Sequence, residues 1–372
     1  MKKIRYTAAV LAVCALLTVG AGAVSPGVGG AWMGAFAVEW LRQMLPPSTT
    51  PTDTTQLRQI LKYAIEDAAQ PAVLDVSRLD LGKDPSLTVK NLYYSLLADF
   101  PQLKYAYDLT VSVVNDLLTC QIAYMPYKTG QFPTGFQGVA VSSLEELIAA
   151  AQAGLGGSPV PVRITNPALL PDDLDLALQQ VGGGEILCQL NRDGTQIRYH
   201  PTAGRTMAQC LEQLAQSEQL AMEEVTRLVR PGMSQLEIAT VLCDSLTEQV
   251  VYDRRYYTAP AALPYSARTA YGALHDRLAI CGGYALAYDL LLQIAGIPCY
   301  TISGTAGGEL HMWNIALIDG QWRYADPTWD RGTKRFGYRY FHTNAEELQR
   351  QHHQWDIQFT ARLIGAAQEE SK

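Results

Sequence analysis

An α+β chain is predicted: a C-terminal core of helices packed on an antiparallel sheet, preceded by two smaller α/β units. Three observations predict it. Between residues 206 and 298 apolar residues recur at helical spacing, with a capping box at Ser234 and Glu237 and a stop at Gly296 and Pro298. The runs ELHMWNIALI and QWRYA then flank Asp319-Gly320, a two-residue hairpin signature. Upstream, two segments each join helical stretches to a hairpin signal, Asn115-Asp116 in one and Asp193-Gly194 in the other.

The elements follow in order. Residues 1–23 read as a secretory signal peptide: Lys2, Lys3 and Arg5 open it, 6–19 is largely apolar, and Ala21-Gly22-Ala23 suits cleavage. That apolar run falls short of the about 20 residues that span a bilayer, and an uncleaved N-terminal anchor is the alternative. Residues 24–53, ending PPSTTPTDTT, form a linker with a short helix over 31–45. Residues 54–130 make an N-terminal α/β accessory domain, with helices over 57–69 and 88–99 and a hairpin about Asn115-Asp116. Residues 135–205 make a second one: strand GVAVS, a helix opened by a Ser143/Glu146 capping box, strand PVPVRIT, a helix over 172–181, and a hairpin about Asp193-Gly194. In residues 206–372, helices are expected over 207–230 and from Ser234 to about 250. A loop, DRRYYTAPAALPYS, then leads toward a helix opened by Cys281.

Charge and cysteine usage narrow the class. The net charge is −7, and −10 without Lys2, Lys3 and Arg5. An acidic chain with no basic stripe argues against a nucleic-acid partner. Of seven cysteines, Cys14 falls in the signal. None lies in a CxxC pair, which argues against a zinc site, and no acidic loop has calcium-ligand spacing. Cys120, Cys188, Cys210, Cys243 and Cys299 read mostly as buried thiols, with a disulfide open in an oxidising compartment.

The chemistry concentrates in 279–330. Cys281 begins a helix, where unpaired N–H groups and the positive dipole end stabilise a thiolate and the oxyanion of an acyl intermediate. Gly282 and Gly283 leave the backbone open for an acyl group. With Asp319-Gly320 as the turn, Ile318 pairs with Gln321, Ile315 with Tyr324 and Trp313 with Asp326. His311 and Asp326 then share a face as diagonal neighbours roughly 7–8 Å apart, a span their side chains bridge. Nucleophile, base and orienting acid are thus Cys281, His311 and Asp326, a triad with a thiol in place of the hydroxyl.

Three ordered motifs carry a resemblance. ICGGYALAYDLLLQIAGIPCY, HMWN and YADPTWD resemble, in order, the cysteine, histidine and aspartate motifs of the bacterial transglutaminase-like family within the papain-like cysteine enzymes. The similarity runs over roughly 206–358. Met312 stands where alanine is usual. YFHTNAEELQRQHHQWD is similar to a segment that often follows this core, and KNLYYSLLADFPQLKYAYD is more distantly similar to the N-terminal region of some secreted relatives. The resemblance implies a papain-like core and cysteine-dependent amide acyl transfer through Cys281, His311 and Asp326, with no cofactor or metal. It implies a peptide or protein substrate, the cell wall being one source. Hydrolysis is the default because water is the default acceptor. Glutamine crosslinking and a non-catalytic cell-wall or protein-binding module are the alternatives. The signal peptide implies a secreted or cell-surface location, with no membrane contact beyond the signal or an N-terminal anchor.

Other residues carry less. Trp313 divides evenly between a cleft wall and core. Asn314 points off the triad face and reads as structural. Asp330 is a rival acid out of register. His275 reads as a surface group, and His342, His352 and His353 as exposed in a helical C-terminal region. Tyr252, Tyr256 and Tyr257 are candidates for the cleft mouth.

Overall fold

The structure is a computed structural model and describes residues 50–68, 72–202, 204–331 and 340–365. The expected signal peptide and the 31–45 helix lie outside the described residues. The chain divides into two compact units, Met1–Phe136 with Leu170–Asp172 and Arg192–Thr195, and Gln137–Leu169 with Asp173–Asn191 and Gln196–Lys372. Most of the 135–205 stretch thus groups with the second.

In the first unit, α1 (Thr54–Glu66) starts where the Asp53 carboxylate accepts the Gln56 N–H at 2.8 Å. α2 (Pro85–Asp99) carries Pro at its first position, where no intrahelical donor is needed. Strands β1 (Ala72–Asp75), β2 (Ala106–Val114) and β3 (Leu117–Tyr124) form an antiparallel sheet ordered β1-β3-β2. The β2–β3 turn at Asn115 and Asp116 has φ of 47° and 60°, as the twist of a tight hairpin demands. Leu57, Leu61, Tyr93, Leu118 and Cys120 are fully buried where the helices meet the sheet.

The second unit holds two larger sheets. One orders β4 (Val139–Val141), β5 (Val160–Ile164), β6 (Ile186–Leu190) and β7 (Gln196–Pro201) as β4-β5-β7-β6. The parallel β4–β5 pair is joined across α3 (Leu144–Ala153). Only half of the expected capping box forms on α3. Ser143 Oγ accepts the Glu146 N–H at 3.1 Å, but Glu146 turns to the N–H and hydroxyl of Ser142, which offer two donors instead of one.

The remainder positions the site. α4 (Met207–Leu228) and α5 (Gln235–Gln249) each begin with a complete capping box, Thr206/Gln209 and Ser234/Glu237. β8 (Val251–Tyr252) pairs in parallel with β9 (Leu278–Ala279), which leads directly into α6 (Cys281–Ile294). β10 (Cys299–Ala306), β11 (Glu309–Ile318), β12 (Gln321–Ala325) and β13 (His353–Gln354) form an antiparallel sheet ordered β12-β11-β10-β13. The predicted hairpin register is observed, with Ile318 opposite Gln321 and Ile315 opposite Tyr324. Helix α6 is buried almost all round, through Gly283 to Asp289 and at Leu291 and Leu292. Its polar side chains anchor it. Tyr284 OH donates to Val250 O at 2.6 Å, Tyr288 OH to Ala239 O at 3.0 Å, and Asn314 Nδ2 reaches Ala285 O at 2.9 Å. Each such bond contributes about 1 kcal/mol and, more to the point, forbids α6 from sliding along its neighbours. Among the described residues no helix is long and apolar enough to cross a membrane.

Candidate active site

Cys281 is the first residue of α6, after an extended Ile280. The first N–H groups of a helix have no carbonyl four residues back, so they face outward with the positive end of the dipole. The mount is tight. Ile280 N–H donates to Ala267 O at 2.8 Å. A Cβ on Gly283 would lie 2.8 Å from Ala267 O and 3.0 Å from Thr269 O, and one on Gly282 would lie 3.2 Å from Arg268 O. The Cβ positions of both glycines thus face the backbone of 267–269. All six described cysteines are free thiols, and Cys281 alone among them is half-buried. Burial pushes the Cys120 and Cys188 thiols up to about 12 and those of Cys243 and Cys299 well above the ordinary thiol value.

His311 sits on β11, two residues after the strand begins. Its Nε2 donates to Asp326 Oδ2 at 2.7 Å, which leaves Nδ1 free, and Cys281 is close enough to bear on the charge of the ring. The imidazole is 8% exposed. Burial disfavours the imidazolium, yet the hydrogen bonds and charges of Asp326 and Cys281 outweigh it and raise His311 to about 10.

Asp326 follows β12 directly and caps a short helix, α7 (Pro327–Asp330). It is fully buried. Oδ1 accepts the N–H groups of Thr328 at 3.0 Å and Trp329 at 3.2 Å. Oδ2 accepts from His311 and, at 3.0 Å, from His353 Nε2. Burial alone would raise this carboxyl, but the donors from His311 and His353 hold it below the usual carboxylate range.

His353 was missed in the sequence, where an exposed helical position was expected. It lies on β13, fully buried, paired with Ala306 of β10. The usable signal was His353-Gln354-Trp355, which alternates buried, exposed and half-buried as a strand does and repeats the H-x-W of His311 to Trp313. His342 is also buried, 3.0 Å from Tyr288 OH.

Trp313 is fully buried in the core, edge-on to His353 and Trp355, and does not border the cleft. Asn314 ties the sheet to α6, away from the thiol. Asp330 accepts the Tyr340 N–H at 3.0 Å. His275 is exposed and bound to Asp276. Tyr252, Tyr256 and Tyr257 do line a cleft of about 530 Å³, with Arg254, Glu309, His311 and Trp329. Among the described residues, His311, Asp326 and His353 are the one group placed to ligate a metal. Their 2.7 and 3.0 Å contacts are those of N–H donors on a carboxylate oxygen.

Imidazole and carboxylate are hydrogen-bonded, the imidazole borders a cleft, and the half-buried Cys281 thiol stands at a helix start. Residues 223–327 match the model of the transglutaminase-like superfamily. The kyphoscoliosis peptidases of Mus musculus and Homo sapiens are each 30% identical to this chain over 77 residues, 16% of this chain and 12% of theirs. The chain thus spans about an eighth of the length of the curated relatives it matches. A solved TGase superposes with a TM-score of 0.29 and 15% identity, covering 46% of this chain and 50% of that one. Residues 223–327 are thus similar to the transglutaminase-like superfamily, and the mixed α+β fold is consistent with a papain-like core.

Proposed function

We propose that the protein is a cysteine-dependent hydrolase of peptide or protein amides. The observation that carries this reading is the His311–Asp326 hydrogen bond, with the Cys281 sulfur beside the ring on a helix N-terminus. His311 takes the thiol proton, and the sulfur attacks the amide carbonyl carbon. Helix N–H groups hold the resulting oxyanion. The imidazolium then protonates the amine nitrogen, the C–N bond breaks, and a thioester remains. Water, deprotonated by His311, attacks the thioester. The C–S bond breaks, and a carboxylate and the free thiol are released. Asp326 keeps the His311 proton on Nε2 and supports the charged ring.

Two things favour hydrolysis over transfer: water is the default acceptor, and the curated relatives are named peptidases. The basic, apolar and small-residue order of 1–23 supports export, and with it a secreted or surface-held enzyme acting on extracellular peptides.

The test is turnover of a peptide library, with a labelled primary amine present. The wild type should release free carboxylates and Cys281→Ala should not. Undiminished turnover by Cys281→Ala would overturn the assignment, and amine incorporation in place of water would reassign the protein to transamidation.

A further inference from the structure

We infer that His353 is a positioning residue of this site, holding the same Asp326 oxygen on which His311 depends. The inference rests on the reading of Cys281, His311 and Asp326 as one unit.

A carboxylate offers about four lone-pair sites. Asp326 has four donors and no solvent contact: Thr328 and Trp329 N–H on Oδ1, His311 and His353 on Oδ2. The His353 ring cannot turn away. It stands edge-on to Trp313 at 5.0 Å and 86° and to Trp329 at 4.8 Å and 65°, and its backbone is locked into β13. Nδ1 lies 3.3 Å from Gln351 O, while Nε2 is closer to the carboxylate, at 3.0 Å. A donor so placed does two things. It fixes the rotation of the carboxylate, hence the angle at which Oδ2 meets the catalytic imidazole. It also draws charge from that oxygen and moderates its pull on His311. The matched family region ends at residue 327. The site therefore requires a histidine 26 residues beyond it, supplied by the edge strand of the sheet.

Other titratable groups face the cluster: Cys281 from α6, Cys243 from α5, Asp330 from α7, Tyr252 beside the thiol and Tyr340 beside the His353 ring. All are retained in the variants below, so a difference between variants reports His353.

The experiment is the pH profile of Cys281 alkylation by iodoacetamide, from pH 5 to 11, in the full chain, with Cys281→Ala as the blank. It needs no substrate, so a wrong substrate class cannot disguise its outcome. His353→Phe fills the aromatic cage without a donor; His353→Gln keeps an N–H near the Nε2 position. With the second donor gone, Asp326 acts on His311 alone. The high-pH limb of His353→Phe should move up by about one pH unit, the size of one lost hydrogen bond to a charged group. His353→Gln should return toward the wild-type profile. A His353→Phe protein with wild-type near-ultraviolet circular dichroism and an unshifted profile would overturn the inference. If His353→Phe does not fold, nitrogen NMR of histidine-labelled wild type decides. A protonated Nε2 on His353 is required, and a bare Nε2 refutes the role.

Discussion

Asp326→Asn isolates the carboxylate with almost no change of shape. The amide oxygen can keep the Thr328 and Trp329 N–H groups, which leaves the amide NH2 opposite two imidazole N–H donors. Donors cannot face donors. His311 must therefore release its Nε2 proton and carry it on Nδ1, toward Cys281, where it can no longer accept the thiol proton. The size follows from His311. Its rise from 6.5 to about 10 corresponds to a preference for the charged ring of about 5 kcal/mol, and the hydrogen bond to Asp326 is the largest of the causes that raise it. Without that bond, burial pulls the ring toward neutrality, and at pH 6 the sulfur has no cation beside it. Each pK unit that a neighbouring cation no longer supplies is tenfold in thiolate, and such a cation is worth about two. Alkylation by iodoacetamide at pH 6 should fall on the order of 10²-fold, with the gap closing above pH 9. Amide turnover should fall further, about 10³–10⁴-fold, because the proton sits on the wrong nitrogen. The assay is the second-order alkylation rate against pH, blanked with Cys281→Ala and paired with circular dichroism. A folded Asp326→Asn protein that reacts within threefold of wild type at pH 6 would refute the reasoning.

Gly283→Ala should destabilise by about 1–3 kcal/mol in urea unfolding, because its methyl meets two backbone carbonyls, and Gly282→Ala by less; equal losses would contradict the close approach of 267–269. Asp289 is buried, and burial raises it to about 7, partly offset by hydrogen bonds from Gln293 and Cys299. A carboxyl whose folded value exceeds its unfolded value costs stability progressively as pH rises from 3.8 to 7. The wild type should therefore lose about 2–3 kcal/mol from this group between pH 5 and pH 8, and Asp289→Asn should lack that part of the slope; identical slopes would count against it. Burial pushes His342 down to about 3. Its neutral form is the stable one in the fold, so stability falls as pH drops from 6.5 toward 3. The urea midpoint of His342→Leu should change less between pH 7 and pH 4.5 than that of the wild type, and an unchanged difference would show that another group drives acid unfolding.

Local chemistry was legible where a few adjacent residues decide it. Asp319 and Gly320 adopt φ of 50° and 76°, the turn that Asp-Gly favours, and a two-residue loop leaves one register for the strands around it. The meeting of His311 and Asp326 follows from that register, as does the position of Asn314 on the opposite face. His353 was illegible for the converse reason. It reaches Asp326 because β13 pairs with β10, an edge contact between segments about 50 residues apart, and two residues are too short a run to display a period. Trp313 was ambiguous because a cleft wall and a core both call for a large ring beside the histidine. What removes it from the cleft is burial against His353 and Trp355, both from that same distal segment.

One physical requirement links the exposed and buried ends of the site. Burial opposes every charge that such a site needs. It disfavours the His311 imidazolium, so a carboxylate must stand behind the ring. It disfavours that carboxylate in turn, so donors must stand behind the carboxylate. The sequence ends only at groups that cannot lose their dipole, the backbone N–H groups of Thr328 and Trp329, and at an imidazole clamped between tryptophans. A cysteine at a helix start and a nearby histidine are common and individually uninformative. The distinguishing feature lies at the deep end, where a carboxylate with no solvent contact finds a donor for each of its lone pairs. A surface ion pair, screened by water, needs no such arrangement, and a structural core would do better with apolar side chains of the same volume.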